Sequence, residues 1–157
     1  MQAAGLVVAS GRATISMSDS TFVDTNVLVY AVDDSEPEKR DIARRSLESK
    51  RYGKLVVSAQ ILGEFYVTVT RKLAEPIPED KAAEALDWLT LLTVVPIDAE
   101  LVKHGTQISR TAQLSYRDGL VVAAAARGGC QRLLSEDLND GQRIGSVRVE
   151  NPFRHDR

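Results

Sequence analysis

Four carboxylates in this chain stand where chemistry could be done: Asp24, Glu64, Asp118 and Asp137. Asp24 directly follows the apolar run Thr21-Phe22-Val23, and Asp137 comes just after Leu133-Leu134-Ser135, so both fall at the ends of predicted strands. Glu64 interrupts an apolar helical sequence; at about 100° per residue it flanks the stripe of Ile61, Phe65 and Val69 rather than facing fully outward. Asp118 opens a helical run of small apolar residues. Carboxylates gathered at one edge repel, and their pKa values rise unless cations neutralise them. A divalent metal resolves that conflict.

Each acid also has a plain local use. Asp24 suits a helix N-cap, and Glu64 suits a surface glutamate laying its stem on apolar neighbours. Ser115-x-x-Asp118 reads as a capping box, and Asp137 precedes the Asn139-Asp140-Gly141 turn. Gly63, beside Glu64, costs a helix about 1 kcal/mol relative to Ala, which a close neighbour would explain.

The elements that must position these acids alternate along the chain. After strand 21–23, a helical stretch starts at Asp24-Thr25-Asn26 and runs through Tyr30, and a second helix fits Glu36 to Lys50. Strand Leu55-Val56-Val57 leads to Ser58, which caps a helix to about Leu73; Pro76 and Pro78 then break the chain. A helix over about Glu79 to Leu92, a strand near Val94-Val95, and a helix from Ala99 to Thr111 capped by Asp98 follow. The helix Asp118 to Ala126 and strands at 132–134 and 147–149 complete the set. Such alternation predicts an α/β sandwich with a mainly parallel sheet, in which ligands bind outside the carboxyl ends of the strands.

Composition narrows the chemistry. The chain has 157 residues, enough for one domain, with 20 Lys+Arg against 22 Asp+Glu. One cysteine, Cys130, and two histidines, His104 and His155, leave no Cys- or His-based metal centre. Any metal must sit mostly on carboxylates, whose hard oxygens select Mg²⁺ or Mn²⁺. Setting the four acids aside turns the net charge of -2 into +2, an acidic cluster on a mildly positive body. Cys130 reads as an inert apolar residue. The longest apolar runs are seven residues, against the roughly 20 a bilayer requires, so no membrane span is expected. With a single thiol and no secretory pattern, the cytoplasm is the expected location. Residues 1–20 read as an extension with Met17 as an alternative start, or an edge strand through Leu6-Val7-Val8; the domain spans 21–150 and a tail 151–157.

The blocks Phe22-Val23-Asp24-Thr25-Asn26-Val27-Leu28-Val29-Tyr30, Ser58-Ala59-Gln60-Ile61-Leu62-Gly63-Glu64-Phe65, Ser115-Tyr116-Arg117-Asp118-Gly119-Leu120 and Leu133-Leu134-Ser135-Glu136-Asp137 resemble, in order and spacing, those of the PIN-domain family. The likeness is to its small VapC-type ribonuclease toxins. It implies a three-layer α/β/α sandwich on a sheet of about five strands. It also implies an acidic pocket of Asp24, Glu64, Asp118 and Asp137 holding one or two Mg²⁺ or Mn²⁺. Asn26 matches a polar position beside the first acid, and Ser135 a hydroxyl supporting the last. Two departures stand out: Arg117 replaces a common aromatic residue, and Gly119 a common Ala. The implied protein partners are a second copy, through helices around residues 58–92, and an antitoxin that docks near the site, sometimes aiming a basic residue at the acids.

Phosphodiester hydrolysis needs an activated water, in-line geometry and a neutralised leaving oxygen, which carboxylate-bound metals supply. Asp24 and Asp118 are expected as primary ligands, with Glu64 and Asp137 completing the set. RNA must also be held. Residues 39–54 carry seven basic residues against two acidic ones, so Arg44, Arg45 and Arg51, with Arg117, are candidate phosphate contacts; a solvated helix face explains the same run. Arg71 and Lys72 are further candidates. Two other readings stand beside the ribonuclease: a PIN-fold RNA- or protein-binding module with little catalysis, and an aspartyl-phosphate phosphotransfer enzyme. The last would place a second Asp where this chain has Asn26.

Overall fold

The computed structural model describes residues 19–154. Residues 1–18 of the extension, with its alternative start at Met17 and the strand at Leu6-Val7-Val8, and His155 fall outside the described residues; Ser20 already belongs to the first strand.

The elements run β1 (Ser20–Val23), α1 (Thr25–Tyr30), α2 (Pro37–Glu48), β2 (Lys54–Ser58), α3 (Ala59–Arg71), α4 (Glu79–Leu89), β3 (Thr93–Val95), α5 (Ala99–Ala112), α6 (Tyr116–Arg127), β4 (Arg132–Leu134), β5 (Arg143–Ile144) and β6 (Val147–Glu150). The sheet order is β3-β2-β1-β4-β6-β5. All neighbours are parallel except β5 on β6. From β1 the chain steps one way to β2 and β3, then reverses across β1 to β4. Because parallel crossovers are right-handed, that reversal moves α5 and α6 to the opposite face from α1–α4, giving three layers. It also puts the switch point between β1 and β4, where a crevice opens at the strand ends.

The sheet has six strands where about five were expected. The added one, β5, is a two-residue edge segment too short to show alternation. Helix α2 ends at Glu48, short of Lys50, because Ser49 is extended and its hydroxyl caps a 3₁₀ turn at Lys50–Tyr52. Helix α4 stops at Leu89, short of Leu92. Helix α6 begins two residues before Asp118, with Ser115 as its cap.

Central strands are apolar on both faces, as helices on both sides require: Phe22, Val23, Val56, Val57, Leu133 and Leu134 are fully buried. Helix α6 is buried along Gly119–Ala125, and its small residues let it pack between the sheet and α5. At Gly119 a Cβ would lie 2.4 Å from the Gly105 carbonyl oxygen, and at Gly105 one would lie 3.0 Å from the Leu120 Cα. The two helix backbones meet there, which explains why Gly119 stands in place of an alanine. Gly63 has no such reason: it is exposed and a Cβ would meet nothing within 4 Å, so the expected close neighbour is absent among the described residues. Of the segment after residue 150, Phe153 is buried edge-on against Tyr30, ring centroids 5.0 Å apart. Cys130 is buried, which pushes its thiol pKa up to about 12 and leaves it inert.

Candidate active site

Asp24 ends β1 and caps α1. It is fully buried, and its two oxygens are spoken for on separate sides. Oδ1 accepts from the Thr25 backbone N–H at 2.8 Å and Oδ2 from the Ser135 hydroxyl at 2.7 Å. The N-cap reading of Asp24 is therefore correct, and it is also what aims the carboxylate across the strand ends.

Ser58 caps α3 by accepting from Ile61 N–H, so Glu64 sits on the second turn, facing α1. Its Oε1 accepts from the Thr25 hydroxyl at 2.6 Å and its Oε2 from Gln60, one turn earlier, at 3.3 Å. Asp118 lies in the first turn of α6. The Ser115 hydroxyl accepts from the Asp118 N–H at 3.0 Å, but the Asp118 carboxylate is turned to Arg117 at 3.0 Å.

Arg117 is the centre of the arrangement. One edge of its guanidinium forks onto Asp24, with Nη2 at 2.7 Å and Nη1 at 3.3 Å. The other forks onto Glu64, with Nη2 at 2.6 Å and Nε at 3.2 Å. The planar five-donor geometry of arginine permits this double fork. Burial alone would raise the Glu64 pKa, but the Arg117 and Thr25 hydrogen bonds outweigh it and hold the carboxyl below its ordinary value. Burial disfavours charge on Arg117 too, yet the bonds to Glu64 and Asp24 raise its pKa further.

Asp137 joins through a different route. The Asn26 amide donates to Asp137 Oδ2 at 3.1 Å and more loosely to Asp24 and Ser135, each at 3.4 Å, while its carbonyl accepts from Glu136 N–H at 3.1 Å. Ser135 Oγ also accepts from Asp137 N–H. The Asp137 carboxyl faces the cleft although the residue is exposed overall; burial first, then the Asp24 charge, hold its pKa above the ordinary value. Sequence reasoning missed the brace behind this loop. Glu136 accepts from Tyr30 Oη and Lys39 Nζ, and Lys39 stacks over the Tyr30 ring at 4.7 Å. The bond to Glu136 is the main reason the Lys39 pKa rises to about 12.

A cleft of about 600 Å³ opens beside the acids, lined among others by Thr25, Asn26, Glu64, Lys72, Arg117 and Asp137. Of the basic candidates, Arg117 and Lys72 line it. Arg44 instead donates to the Ala31 carbonyl at 2.7 Å, Arg51 pairs with Glu150 at 2.8 Å, and Arg45 is exposed on α2. His104 is exposed on α5.

All the candidate metal donors are carboxylate oxygens, a set that fits Mg²⁺ or Mn²⁺. Three of the four carboxylates share the one guanidinium of Arg117. Among the described residues no three Asp, Glu, His or Cys side chains enclose an ion as they stand; Asp24, Glu64 and Asp118 converge on Arg117, which occupies the position of a cation.

The sequence profile of the PIN domain matches residues 21–142. A VapC ribonuclease of Mycobacterium bovis and Ribonuclease VapC13 of Mycobacterium tuberculosis are each 36% identical over 121 residues, covering 73% of this chain and 88% of the relative. Among solved structures, a toxin–antitoxin complex from Klebsiella pneumoniae has a chain of the same fold. It superposes with a TM-score of 0.65 at 17% identity, over 87% of this chain and all of that one. With the profile spanning most of the domain and the acidic residues gathered at the switch point of the sheet, the chain belongs to the PIN-domain family.

Proposed function

We propose that this protein is a VapC-type toxin ribonuclease that hydrolyses RNA phosphodiester bonds with Mg²⁺ or Mn²⁺ held by Asp24, Glu64, Asp118 and Asp137. The observation that supports it best is the convergence of Asp24, Glu64 and Asp118 on a single cation at the carboxyl edge of the sheet. When bound, one or two divalent ions would supply a water of lowered pKa and charge neutralisation at the leaving oxygen.

The chain's own residues do the positioning. Thr25 N–H and Ser135 Oγ fix Asp24, and Thr25 Oγ1 and Gln60 fix Glu64. Asn26 ties Asp137 to the same network. Lys72 lines the cleft, where its ammonium can hold an RNA phosphate. An aspartyl-phosphate mechanism is disfavoured, because position 26 is an amide that can neither give up nor take a proton and is bonded at both ends. A binding-only module gains no support from a site that retains all four acids.

By kinship with the toxin of a toxin–antitoxin pair, the protein partners are a cognate antitoxin and a second copy. The exposed Trp88 and Leu91 at the end of α4 suit such a dimer. Among the described residues no helix is long and apolar enough to cross a membrane, and the reading places the protein in the cytoplasm with its RNA.

The test is cleavage of labelled RNA by purified protein with Mg²⁺ or Mn²⁺ and with EDTA, beside Asp24→Asn and Asp118→Asn. Both substitutions, and EDTA, should abolish the appearance of 5′-phosphate ends while the far-UV spectrum stays native. Undiminished cleavage by folded Asp24→Asn would overturn the assignment.

A further inference from the structure

Arg117 donates to three of the four proposed ligands, and its Nη2 alone is shared by Asp24 Oδ1 and Glu64 Oε1. An ion taking those two oxygens as ligands would have to stand where that nitrogen stands. Both cannot be there, by volume and by charge. We propose that Arg117 is a tethered counter-ion: it gathers the carboxylates, and its guanidinium must swing away before a divalent ion can bind between them. This rests on the metal-dependent reading above.

Three features make the exchange a side-chain motion rather than a rearrangement of the fold. The start of α6 is pinned by the Ser115 cap and by the contact of Gly119 with Gly105, so the Arg117 backbone is fixed. Asp24 and Glu64 keep neutral donors on other sides, from Thr25, Ser135 and Gln60, and so keep their aim when Arg117 leaves. The guanidinium borders the open cleft and has about a third of its side chain exposed, 32%, which gives it somewhere to go. Asp118 differs from the other two: Arg117 is the one side-chain partner of its carboxylate among the described residues, so the swing frees it.

A ligand that binds only the open state has its apparent Kd raised by the inverse of that state's population. A latch closed nine times in ten therefore weakens metal binding about tenfold. The experiment is calorimetric titration of Mn²⁺ into the full chain without RNA, for wild type, Arg117→Gln and Arg117→Lys. Arg117→Gln should bind about tenfold or more tightly than wild type, and its metal-free Tm should be lower; Arg117→Lys, which keeps a cation, should fall nearer wild type. Equal or weaker binding by folded Arg117→Gln overturns the latch while leaving the nuclease reading intact. No Mn²⁺ binding by folded wild-type or Arg117→Gln protein overturns the metal reading and the latch with it. Should Arg117→Gln fail to fold, the wild type decides alone: the Arg117 Nε–H, bonded to Glu64, should lose its exchange protection in NMR spectra as Mg²⁺ is added. Protection kept at saturating Mg²⁺ overturns the proposal.

Discussion

The two sides of the acidic cleft are wired differently. On one, Glu64 and Asp118 are held by a charge, the guanidinium of Arg117; on the other, Asp137 is held by the neutral amide of Asn26 and, through its backbone, by the Ser135 hydroxyl. Glu64 and Asp137 accordingly shift in opposite directions, one below and one above its ordinary pKa. Both are partly withdrawn from water, so burial does not distinguish them. What does is the distance to a cation, since Arg117 bonds Glu64 directly and reaches Asp137 only through space. Asp24, buried between them, is bonded from both sides.

The largest effect should come from moving the charged side as a body. Gly119→Ala forces a Cβ toward the Gly105 carbonyl and must push α6 off α5, at a cost of about 1–3 kcal/mol or more in urea denaturation. Because Arg117 and Asp118 ride on α6, proposed metal binding should weaken in the folded variant, while the Asn26–Ser135–Asp137 side stays in place. A change below about 0.5 kcal/mol would show that the helices do not meet as tightly as described.

A sharper comparison neutralises one acid from each side. Glu64→Gln leaves Arg117 short of a charged partner and should cost about 1–2 kcal/mol at pH 7, a part-exposed pair falling toward the low end of charge-assisted bonds. Asp137→Asn should change stability by less than about 0.5 kcal/mol or raise it, because the fold disfavours the charge there. The pH dependence separates them again. A carboxyl whose pKa is lowered by folding contributes stability that is complete above its unfolded value, 4.5 for Glu64, and lost as pH falls through the folded one. Asp137, raised by folding, works in the opposite sense. Acid titrations should therefore be flatter for Glu64→Gln and steeper for Asp137→Asn than for wild type; equal slopes would remove the distinction.

The last test takes a position beside Glu64 that has no packing duty. Gly63→Ala should stabilise the protein by about 0.5–1 kcal/mol, by helix propensity alone. A loss of stability would mean that something does approach Gly63.

Much of this architecture could be read before folding. Buried strands and amphipathic helices carry their own periodicities, so β1, β2, β4 and β6 and the caps Ser58, Asp98 and Ser115 were legible from local patterns. Helix ends were off where one residue decided them, as Ser49 does by turning extended. The edge strand β5 was missed because two residues show no pattern. The four acids were placed at the right edge of the sheet, since strand ends and helix starts are local features. The basic run at 39–54 was read by charge alone; in the fold Arg44 donates to the Ala31 carbonyl and Arg51 pairs with Glu150, away from the residues that line the cleft.

The sequence by itself therefore determined the α/β class and the local positions of the acids, at strand ends and on helices, because those features are encoded in neighbouring residues. Tertiary structure alone decided who neutralises whom. Arg117 was legible as an unusual residue beside Asp118 and a candidate phosphate contact, while its partners Asp24 and Glu64 lie 93 and 53 residues away. No periodicity encodes such a pairing. It arises because the chain reversal at β1 and β4 and the close contact of Gly105 with Gly119 carry the start of α6 over the strand ends. There, one long side chain becomes the nearest cation to three carboxylates.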